Sequence, residues 1–182
     1  MFEASTIDAV MIRPYKKEDA EDLYLAARES IYEVHPWLPW CHPDYSRKES
    51  EEWIARCDEA WKKGVEFHFV ITHTATGRFL GGVGINQINI THRYANLGYW
   101  VRSSETGKGV TTAAAILAAR FGFQKLNLGR IEILVARENK ASLRVAEKTG
   151  ARREGLLRNR LIVNDHVMDA VLYALIPEDL SD

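Results

Sequence analysis

The sequence predicts a single α/β domain, of the α+β kind with one mixed sheet, and elements in the order β-α-α-β-β-β-α-β-α-β-β. Seven short segments have the alternating or continuous apolar pattern of strands, and four repeat apolar residues at helical spacing. A central strand–helix–strand unit implies a parallel pair, whereas the flanking hairpins make the other pairs antiparallel. The length of 182 residues, 46% of them hydrophobic, fits one domain over residues 1–182 with a core from about 11 to 180.

The first half of the chain begins with a short strand, "VMIRPY", that Pro14 ends. A helix follows, with an apolar stripe from Leu23 to Val34. The three prolines of "HPWLPWCHPDYS" prevent this helix from continuing. We predict a second helix that is capped by Ser46 or Ser50 and then ends at the next glycine in the chain.

The second half predicts a hairpin, a crossover helix and a second hairpin. The crossover helix begins after Gly109, and its apolar stripe runs from Val110 to Phe121. Asn139 is the expected N-cap of a shorter helix that Gly150 ends. The expected strands cover residues 67–72, 79–88, 95–101, 130–136, 152–162 and 167–176.

Composition and charge argue against several classes of protein. The formal net charge of -1 gives no electrostatic reason to expect a nucleic-acid partner. The N-terminal segment has neither the basic region nor the apolar region of a signal peptide. The longest apolar run, residues 113–119, is too short to cross a bilayer. We therefore expect a cytoplasmic protein with no membrane partner.

The cysteines and histidines predict neither a disulfide framework nor a metal site. Two cysteines are too few for a disulfide scaffold, and Cys57 lies on the apolar stripe of the second helix, where burial is expected. His35, Cys41 and His42 are interleaved with prolines and have no fourth ligand spaced nearby. We therefore expect no bound metal.

The segment "TGKGVTT", residues 106–112, joins a predicted strand to a long helical pattern. A nucleoside-triphosphate loop would need two glycines five residues apart and a Lys-Ser/Thr pair, and both are missing. A dinucleotide fingerprint would need a third glycine where Thr112 stands. Two interpretations remain: a simple helix cap, or a helix N-terminus that binds a pyrophosphate through backbone N–H groups, with Lys108 as an additional donor.

A longer series of motifs resembles a known family. It contains a "GYW" strand end, the "GKG" turn, "LGRIE", an N-x-x-S motif at residues 139–142, and "EGLLR". Over about residues 11–180 the chain resembles the GNAT superfamily of acetyl-CoA-dependent N-acyltransferases. Within this superfamily it resembles the ribosomal-protein N-acetyltransferase (RimJ/RimL-like) branch. In the family's loop pattern, Gln/Arg-x-x-Gly-x-Gly/Ala, Gly109 is kept, but Thr106 replaces Gln/Arg and Thr111 replaces Gly/Ala.

The resemblance implies a GNAT-type mixed sheet and acetyl-CoA as co-substrate. It implies that the pantetheine arm lies along the strand end at residues 98–101, with a backbone N–H near Trp100 as donor to the thioester oxygen. Ser142 is the implied catalytic residue, whose hydroxyl donates a proton to the leaving thiolate; the alternative is a serine that only satisfies the helix start. The implied cofactor-binding residues are Trp100, Val101, Thr106, Gly107, Lys108, Gly109, Val110, Thr111, Thr112, Asn139 and Ser142.

No residue of the sequence stands out as the base that removes the proton of the attacking amine. Two positions where family members carry a glutamate hold Asn96 and Leu161 here. Glu105 is expected to be exposed, and His92, acting through a water, stays open as a candidate. At pH 7.5 about a quarter of an α-amine but about one part in a thousand of a lysine is neutral. The lack of a strong base therefore favours a peptide N-terminus or a small α-amine.

The segment "WLPW" resembles the substrate-side loop of the same branch. This implies that Trp37 and Trp40 bind the acceptor. The alternative is a hydrophobic plug between the first two helices. Both interpretations use the apolar area of the indoles, so the sequence leaves them open.

Two functions from different classes remain open. The first is an N-acyltransferase that moves an acetyl group from acetyl-CoA to a primary amine by direct attack in a ternary complex. The second is a catalytically degenerate acyl-CoA-binding module, which the altered loop and the missing base motivate. Nothing in the sequence fixes acetyl over a longer acyl group, and a homodimer through the C-terminal strands is consistent with the pattern.

Overall fold

The computed structural model describes residues 5–180, which form four α-helices and one mixed sheet of eight strands. The strands follow the spatial order β1-β2-β3-β4-β5-β6-β8-β7. The elements are β1 Ser5–Ile7, β2 Val10–Pro14, α1 Ala20–Val34, α2 Arg47–Lys63, β3 Phe67–His73, β4 Phe79–Asn89, β5 Tyr94–Val101, α3 Val110–Lys125, β6 Arg130–Ala136, α4 Lys140–Lys148, β7 Arg152–Val163 and β8 His166–Leu175.

The predicted fold class and element order are confirmed, with one strand added in front. Strand β1 pairs antiparallel with β2 through three residues. This strand was not predicted, because three residues are too few for an apolar period to be visible in the sequence. Asp8, with φ of 50°, supplies the left-handed turn between the two strands.

The predicted helix ends are also found, and Ser46 is the N-cap among the two residues proposed for α2. The Ser46 hydroxyl accepts from the N–H of Glu49, and the Glu49 carboxylate accepts from the N–H of Ser46 at 2.8 Å. Ser50 is instead buried and donates to the hydroxyl of Tyr45. Gly64, with φ of 67°, ends the helix in the left-handed conformation.

The helices lie on two faces of the sheet, and the alternation of the strands assigns each side chain to one of them. Phe69 and Ile71 of β3 belong to the large apolar cluster under α3, which also buries the predicted stripe of that helix. Val70, between them, belongs to a smaller cluster with Leu23 of α1 and Ile54 of α2. The sheet is therefore covered by α3 on one face and by α1 and α2 on the other.

Strands β5 and β6 are the one parallel pair among the described strands, and they pair only at their beginnings. Residues 94–96 of β5 are in register with residues 130–132 of β6. Beyond this point β5 continues to Val101 and β6 to Ala136 without further pairing between them. The sheet thus opens between the C-terminal halves of its two central strands.

Strand β7 forms one edge of the sheet and carries exposed apolar side chains at Leu156 and Ile162. The expectation of a homodimer depends on this edge. In residues 5–180, no helix is both long and apolar enough to span a membrane.

Leu23→Ala is expected to lower the free energy of unfolding by about 2–5 kcal/mol, because the side chain is 1% exposed between α1 and the sheet. Leu25→Ala on the same helix removes a side chain that is 49% exposed, and a change below about 0.5 kcal/mol is expected. Urea denaturation followed by circular dichroism measures both. Equal losses would contradict the packing of α1 on the sheet.

Candidate active site

The opening between β5 and β6 forms a cleft of about 470 Å³. Its walls are residues 97–101 of β5 and residues 133–136 of β6. Among the residues implied by the sequence, those that line the cleft are Trp37, Trp100, Val101, Thr106, Thr111, Asn139 and Ser142. The turn after β5, the start of α4 and the loop after α1 therefore meet at one place, although they are far apart in the sequence.

The backbone of β5 presents unpaired donors to this cleft. The N–H of Arg102 donates to the carbonyl of Leu80 in β4 at 2.9 Å. Because successive N–H groups of a strand point in opposite directions, the N–H of Trp100 also faces β4, while those of Tyr99 and Val101 face the cleft. The donor expected near Trp100 is therefore an N–H of one of its two neighbours, and the indole of Trp100 forms a wall.

The glycine turn has the geometry of an anion site at a helix start. Gly107 and Gly109 have φ of 76° and 80°, which residues with a side chain rarely adopt. Gly109 is the N-cap of α3 and has no side chain to satisfy the first N–H groups of the helix. The side chain of Val110 is buried in the core, so this residue contributes only its N–H. Thr112 lies in the same first turn.

Lys108 is held beside the turn by an ion pair that the sequence analysis did not predict. Its ammonium lies 3.1 Å from the carboxylate of Glu105, which also pairs with Arg78 at 2.8 Å. Glu105 is buried, so the expectation that it is exposed was wrong. Two cations make this burial favourable, because each compensates the lost hydration of the carboxylate.

The strand end that precedes the turn is fixed to α1 by a second carboxylate. Glu29 accepts from the guanidinium of Arg102, and its other oxygen accepts from the N–H of Ser104 at 2.9 Å. The N–H of Ser103 donates to the hydroxyl of Ser30 at 3.0 Å. The hydrogen bond from Arg102 is the main cause that lowers the pKa of Glu29 to about 2. Helix α1 thus positions the segment between β5 and the glycine turn.

Ser142 lies in the first turn of α4 and is hydrogen-bonded to a tyrosine of β5. The side chain of Asn139 accepts from the N–H of Ser142 at 3.0 Å, which confirms Asn139 as the N-cap. The hydroxyl of Ser142 donates to the hydroxyl of Tyr99 at 3.1 Å, and Tyr99 donates to the carbonyl of Ser142 at 3.2 Å. Burial raises the pKa of Tyr99 to about 12, so its hydroxyl keeps its proton at neutral pH.

A smaller pocket of about 140 Å³ lies on the α1/α2 face of the sheet. It shares Leu38 and residues 98–100 with the large cleft, so the two spaces adjoin across β5. Trp40 lines this pocket, with its ring centroid 5.2 Å from that of Trp100, whereas Trp37 lines the large cleft. Trp37 and Trp40, which belong to one short segment of the sequence, therefore line two different spaces.

The floor of the small pocket consists of backbone, because three glycines of β4 and β5 face it. A Cβ at Gly82 would come within 2.7 Å of the indole nitrogen of Trp100, and a Cβ at Gly84 within 2.2 Å of Nδ1 of His68. Gly84 and Gly98 are cross-strand partners. These glycines allow large side chains to lie flat on the sheet.

The small pocket also contains the imidazole of His68, which was not a candidate from the sequence. Its imidazole is 12% exposed, and Nε2 lies 2.9 Å from the carboxylate of Glu66. The indole of Trp53 packs edge-on against it. The sequence carries no motif for this group, because only the register of β3 against β4 places His68 opposite Gly84.

The remaining candidates from the sequence have other surroundings. Asn96 donates to the side chain of Asn86 at 2.9 Å, and Leu161 lines the large cleft. His92 is exposed in the turn between β4 and β5. Cys41 is buried, and desolvation raises the pKa of its thiol to about 11, which disfavours a thiolate nucleophile. Across the described part of the chain, no group of three metal-ligating side chains is assembled.

Comparison with known proteins identifies the family. The chain matches the acetyltransferase (GNAT) domain over residues 9–152. It is 31% identical over 169 residues to "Probable N-acetyltransferase YjcK" of Bacillus subtilis (strain 168), covering 90% of this chain and 93% of that protein. It is 33% identical over 95 residues to spermidine N(1)-acetyltransferase of Escherichia coli (strain K12), covering 52% and 51% of the two chains.

A solved structure agrees along almost the whole length. The structure of Mycobacterium smegmatis RimJ in complex with CoA-disulfide has a TM-score of 0.87 and 30% sequence identity, and the alignment covers 95% of this chain and 84% of that one. The chain therefore belongs to the GNAT acetyltransferase family. An N-acetyltransferase is the class of enzyme that its fold and its cleft define, and the resemblance to the ribosomal-protein branch is confirmed.

Glu29→Gln is expected to lower the melting temperature at pH 7 by a few degrees. The pKa of Glu29 is lowered from 4.5 to about 2, so its carboxylate stabilises the folded state above the unfolded value, and this contribution is lost as pH falls from about 4.5 towards 2. The difference between wild type and variant is therefore expected to shrink over this window. Thermal unfolding between pH 7 and pH 3 measures it.

Glu59→Gln is the matched control for this experiment. Glu59 forms an exposed pair with Lys63 on α2, and such pairs contribute little. A loss at pH 7 as large as that of Glu29→Gln, or a Glu29→Gln loss that does not change with pH, would contradict the assignment.

Proposed function

We propose that the protein transfers an acetyl group from acetyl-CoA to a primary amine by direct attack in a ternary complex. The observation that carries this proposal is the cleft between β5 and β6, because it combines unpaired strand donors, the glycine turn and the hydroxyl pair of Ser142 and Tyr99. A thioester that lies along β5 would have each group that acyl transfer needs within the same space. Direct attack requires no protein nucleophile, in keeping with the buried cysteines.

The glycine turn is proposed as the pyrophosphate site of acetyl-CoA. The first N–H groups of α3 and the helix dipole favour an anion there, and Lys108 adds a cation. The pantetheine arm then follows residues 97–101. The free N–H and C=O groups of this segment are available to pair with the arm as they would with a neighbouring strand. The N–H of Tyr99 or Val101 donates to the thioester oxygen as negative charge develops on it. The relative RimJ, which was solved with CoA-disulfide, supports the choice of cofactor.

The proton for the leaving thiolate is proposed to come from Ser142. A thiol has a pKa near 8.5, so a hydroxyl donor near the sulfur favours expulsion at neutral pH. In the structure the Ser142 hydroxyl donates to Tyr99, so it must turn from Tyr99 to the sulfur when it gives its proton to the thiolate. Tyr99 remains protonated and can then donate to the serine oxygen, which makes the two hydroxyls a short relay. Asn139 holds the start of α4 so that this relay faces the cleft.

The acceptor is proposed to be an α-amine of a peptide or a small amine that enters from the α1/α2 face. The small pocket has aromatic walls from Trp40, Trp53 and Trp100, which suit an amine and its first carbon atoms. Relatives are named for both acceptor types, "Putative ribosomal N-acetyltransferase YdaF" of Bacillus subtilis (strain 168) and the spermidine N(1)-acetyltransferase of Escherichia coli (strain K12).

A second candidate is an acyl-CoA-binding module without catalysis. It is favoured by Thr106 and Thr111 in the loop, and by the absence of a carboxylate among the described residues that line the small pocket. The two candidates agree on CoA binding and differ in turnover. Thiol release in the presence of a panel of amines and peptides separates them.

Gly109→Ala is expected to raise the dissociation constant of acetyl-CoA by about tenfold or more, because the turn must leave its positive φ or bear strain of about 1–2 kcal/mol. Gly77→Ala is the matched control. Gly77 also has a positive φ of 69° and open space around a Cβ, but lies in the turn between β3 and β4. Calorimetric titration is the measurement. Equal affinities for the two variants would contradict the proposed pyrophosphate site.

Ser142→Ala is expected to lower kcat by about 10–100-fold, since general acids contribute about 100-fold or more and Tyr99 remains nearby. The affinity for acetyl-CoA is expected to stay within about twofold, because the hydroxyl acts on the leaving sulfur. Stopped-time assays of thiol release give kcat, and calorimetry gives the affinity. An unchanged kcat in a folded variant would leave Ser142 with the role of helix start alone.

A further inference from the structure

The acceptor amine must lose a proton, and the small pocket contains one side chain suited to take it. Among the described residues of its lining, the titratable groups are Tyr15, His68 and Tyr99. Burial raises the pKa of both tyrosines, so they hold their protons at neutral pH. Imidazole is the side chain that exchanges a proton in the neutral range.

His68 reaches towards the large cleft along a row without side chains. It is the cross-strand partner of Gly84, and Gly84 is the partner of Gly98. His68, Gly84 and Gly98 therefore form one row across β3, β4 and β5 that ends at the wall of the cleft. Because neither glycine has a Cβ, no side chain of this row lies between the imidazole and that wall. An amine above Gly98 would lie between His68 and the strand proposed to carry the thioester.

The two nitrogens of the imidazole have different surroundings. Nε2 lies 2.9 Å from the Glu66 carboxylate, which can only accept, so Nε2 carries the hydrogen of the neutral ring. Nδ1 therefore has the lone pair, and it lies over Gly84 on the pocket floor. Among the described residues Nδ1 has no hydrogen-bond partner, and the indole of Trp53 restrains the ring from the side. The nitrogen with the lone pair is thus the one that has no protein partner, and it belongs to a side chain that lines the small pocket.

We propose that His68 is the proton acceptor for the attacking amine and that Glu66 is its positioning residue. The inference rests on the proposed function, since it deepens the same site. It also assigns a base to a chain in whose sequence no residue stands out as one. The strand β5 then separates two proton paths: the amine proton leaves on the α1/α2 face, and the thiolate proton arrives on the face of Tyr99.

The step balances as follows for an amine that arrives as R–NH₃⁺. Nδ1 of His68 takes one proton, which passes to solvent, and R–NH₂ remains. The nitrogen lone pair attacks the carbonyl carbon and forms the C–N bond, while the C=O electron pair moves to oxygen. When the carbonyl reforms, the C–S bond breaks and sulfur leaves with the electron pair. Nitrogen loses its second proton, which is acidic in the adduct, to solvent, and the thiolate gains one from the hydroxyl of Ser142, which solvent reprotonates. The products are the amide and the CoA thiol.

The test compares two acceptors of the same skeleton with different basicity. Ethylamine is almost fully protonated at pH 7.5, whereas 2,2,2-trifluoroethylamine is largely neutral. His68→Gln is expected to lower kcat/KM for ethylamine by about 100-fold or more, because a general base contributes about that factor. For trifluoroethylamine the expected loss is below about tenfold, and the KM for acetyl-CoA stays within about twofold. A purely structural role would lower both amines equally.

Two further variants keep the result interpretable. Glu66→Gln retains the imidazole but loosens its orientation, and a partial loss of the same kind, larger for ethylamine, is expected. His166→Gln changes an exposed histidine of β8 that lines neither the small pocket nor the large cleft, and unchanged rates are expected. If His68→Gln does not fold, the two amines are compared with Glu66→Gln instead. Circular dichroism and acetyl-CoA titration verify that each variant is folded.

The outcomes separate this inference from the proposed function. Wild-type protein that binds acetyl-CoA but acetylates neither ethylamine nor trifluoroethylamine would overturn this inference, and failure with every member of the amine panel would overturn the proposed function as well. Wild-type turnover that His68→Gln retains for ethylamine would overturn the inference alone. Equal losses for the two amines would also overturn it, because they would reduce His68 to a packing role.

Discussion

The incomplete pairing of β5 with β6 is the constraint on which the rest of this site depends. Backbone N–H and C=O groups need partners, and two strands that pair over three residues and then separate leave a row of groups open. The strand–helix–strand crossover between them brings the glycine turn and α3 to the same end of the sheet, and the chain after β6 brings α4. Cofactor groups and protein groups can therefore meet without any long functional loop.

A second organising feature is the alternation of side chains along β5. Tyr99 faces α4 and hydrogen-bonds to Ser142, while Gly98 and Trp100 face the pocket under α1 and α2. One strand therefore supplies a polar wall to one compartment and an aromatic wall to the other. The carboxylate of Glu29 fixes the end of the same strand through Arg102, so both compartments depend on a single positioned segment.

The sequence predicted the parts of the molecule that depend on local chemistry. Helix caps, the left-handed glycines and the apolar stripes are all decided within a few residues, and they are found where expected. The features that were missed arise from pairing across strands. Glu105 is buried because it pairs with Arg78, which lies directly before β4 and far from Glu105 in the sequence. The hydrogen bond between Tyr99 and Ser142 likewise joins residues that are 43 positions apart. His68 gains its position from register alone.

The glycines of the pocket floor also have a consequence for how acceptor preference can change. The depth of the pocket is set by missing side chains at Gly82 and Gly84, and any residue larger than glycine there collides with Trp100 or His68. A substitution at Gly82 or Gly84 that makes the pocket shallower therefore also displaces Trp100 or His68. For this reason the floor cannot be adapted to a smaller acceptor in small steps. The aromatic wall opposite the floor has no such restriction, because Trp40 in it is partly exposed. Divergence among relatives with different acceptors is accordingly expected to concentrate in the segment between α1 and α2, over a floor that stays constant.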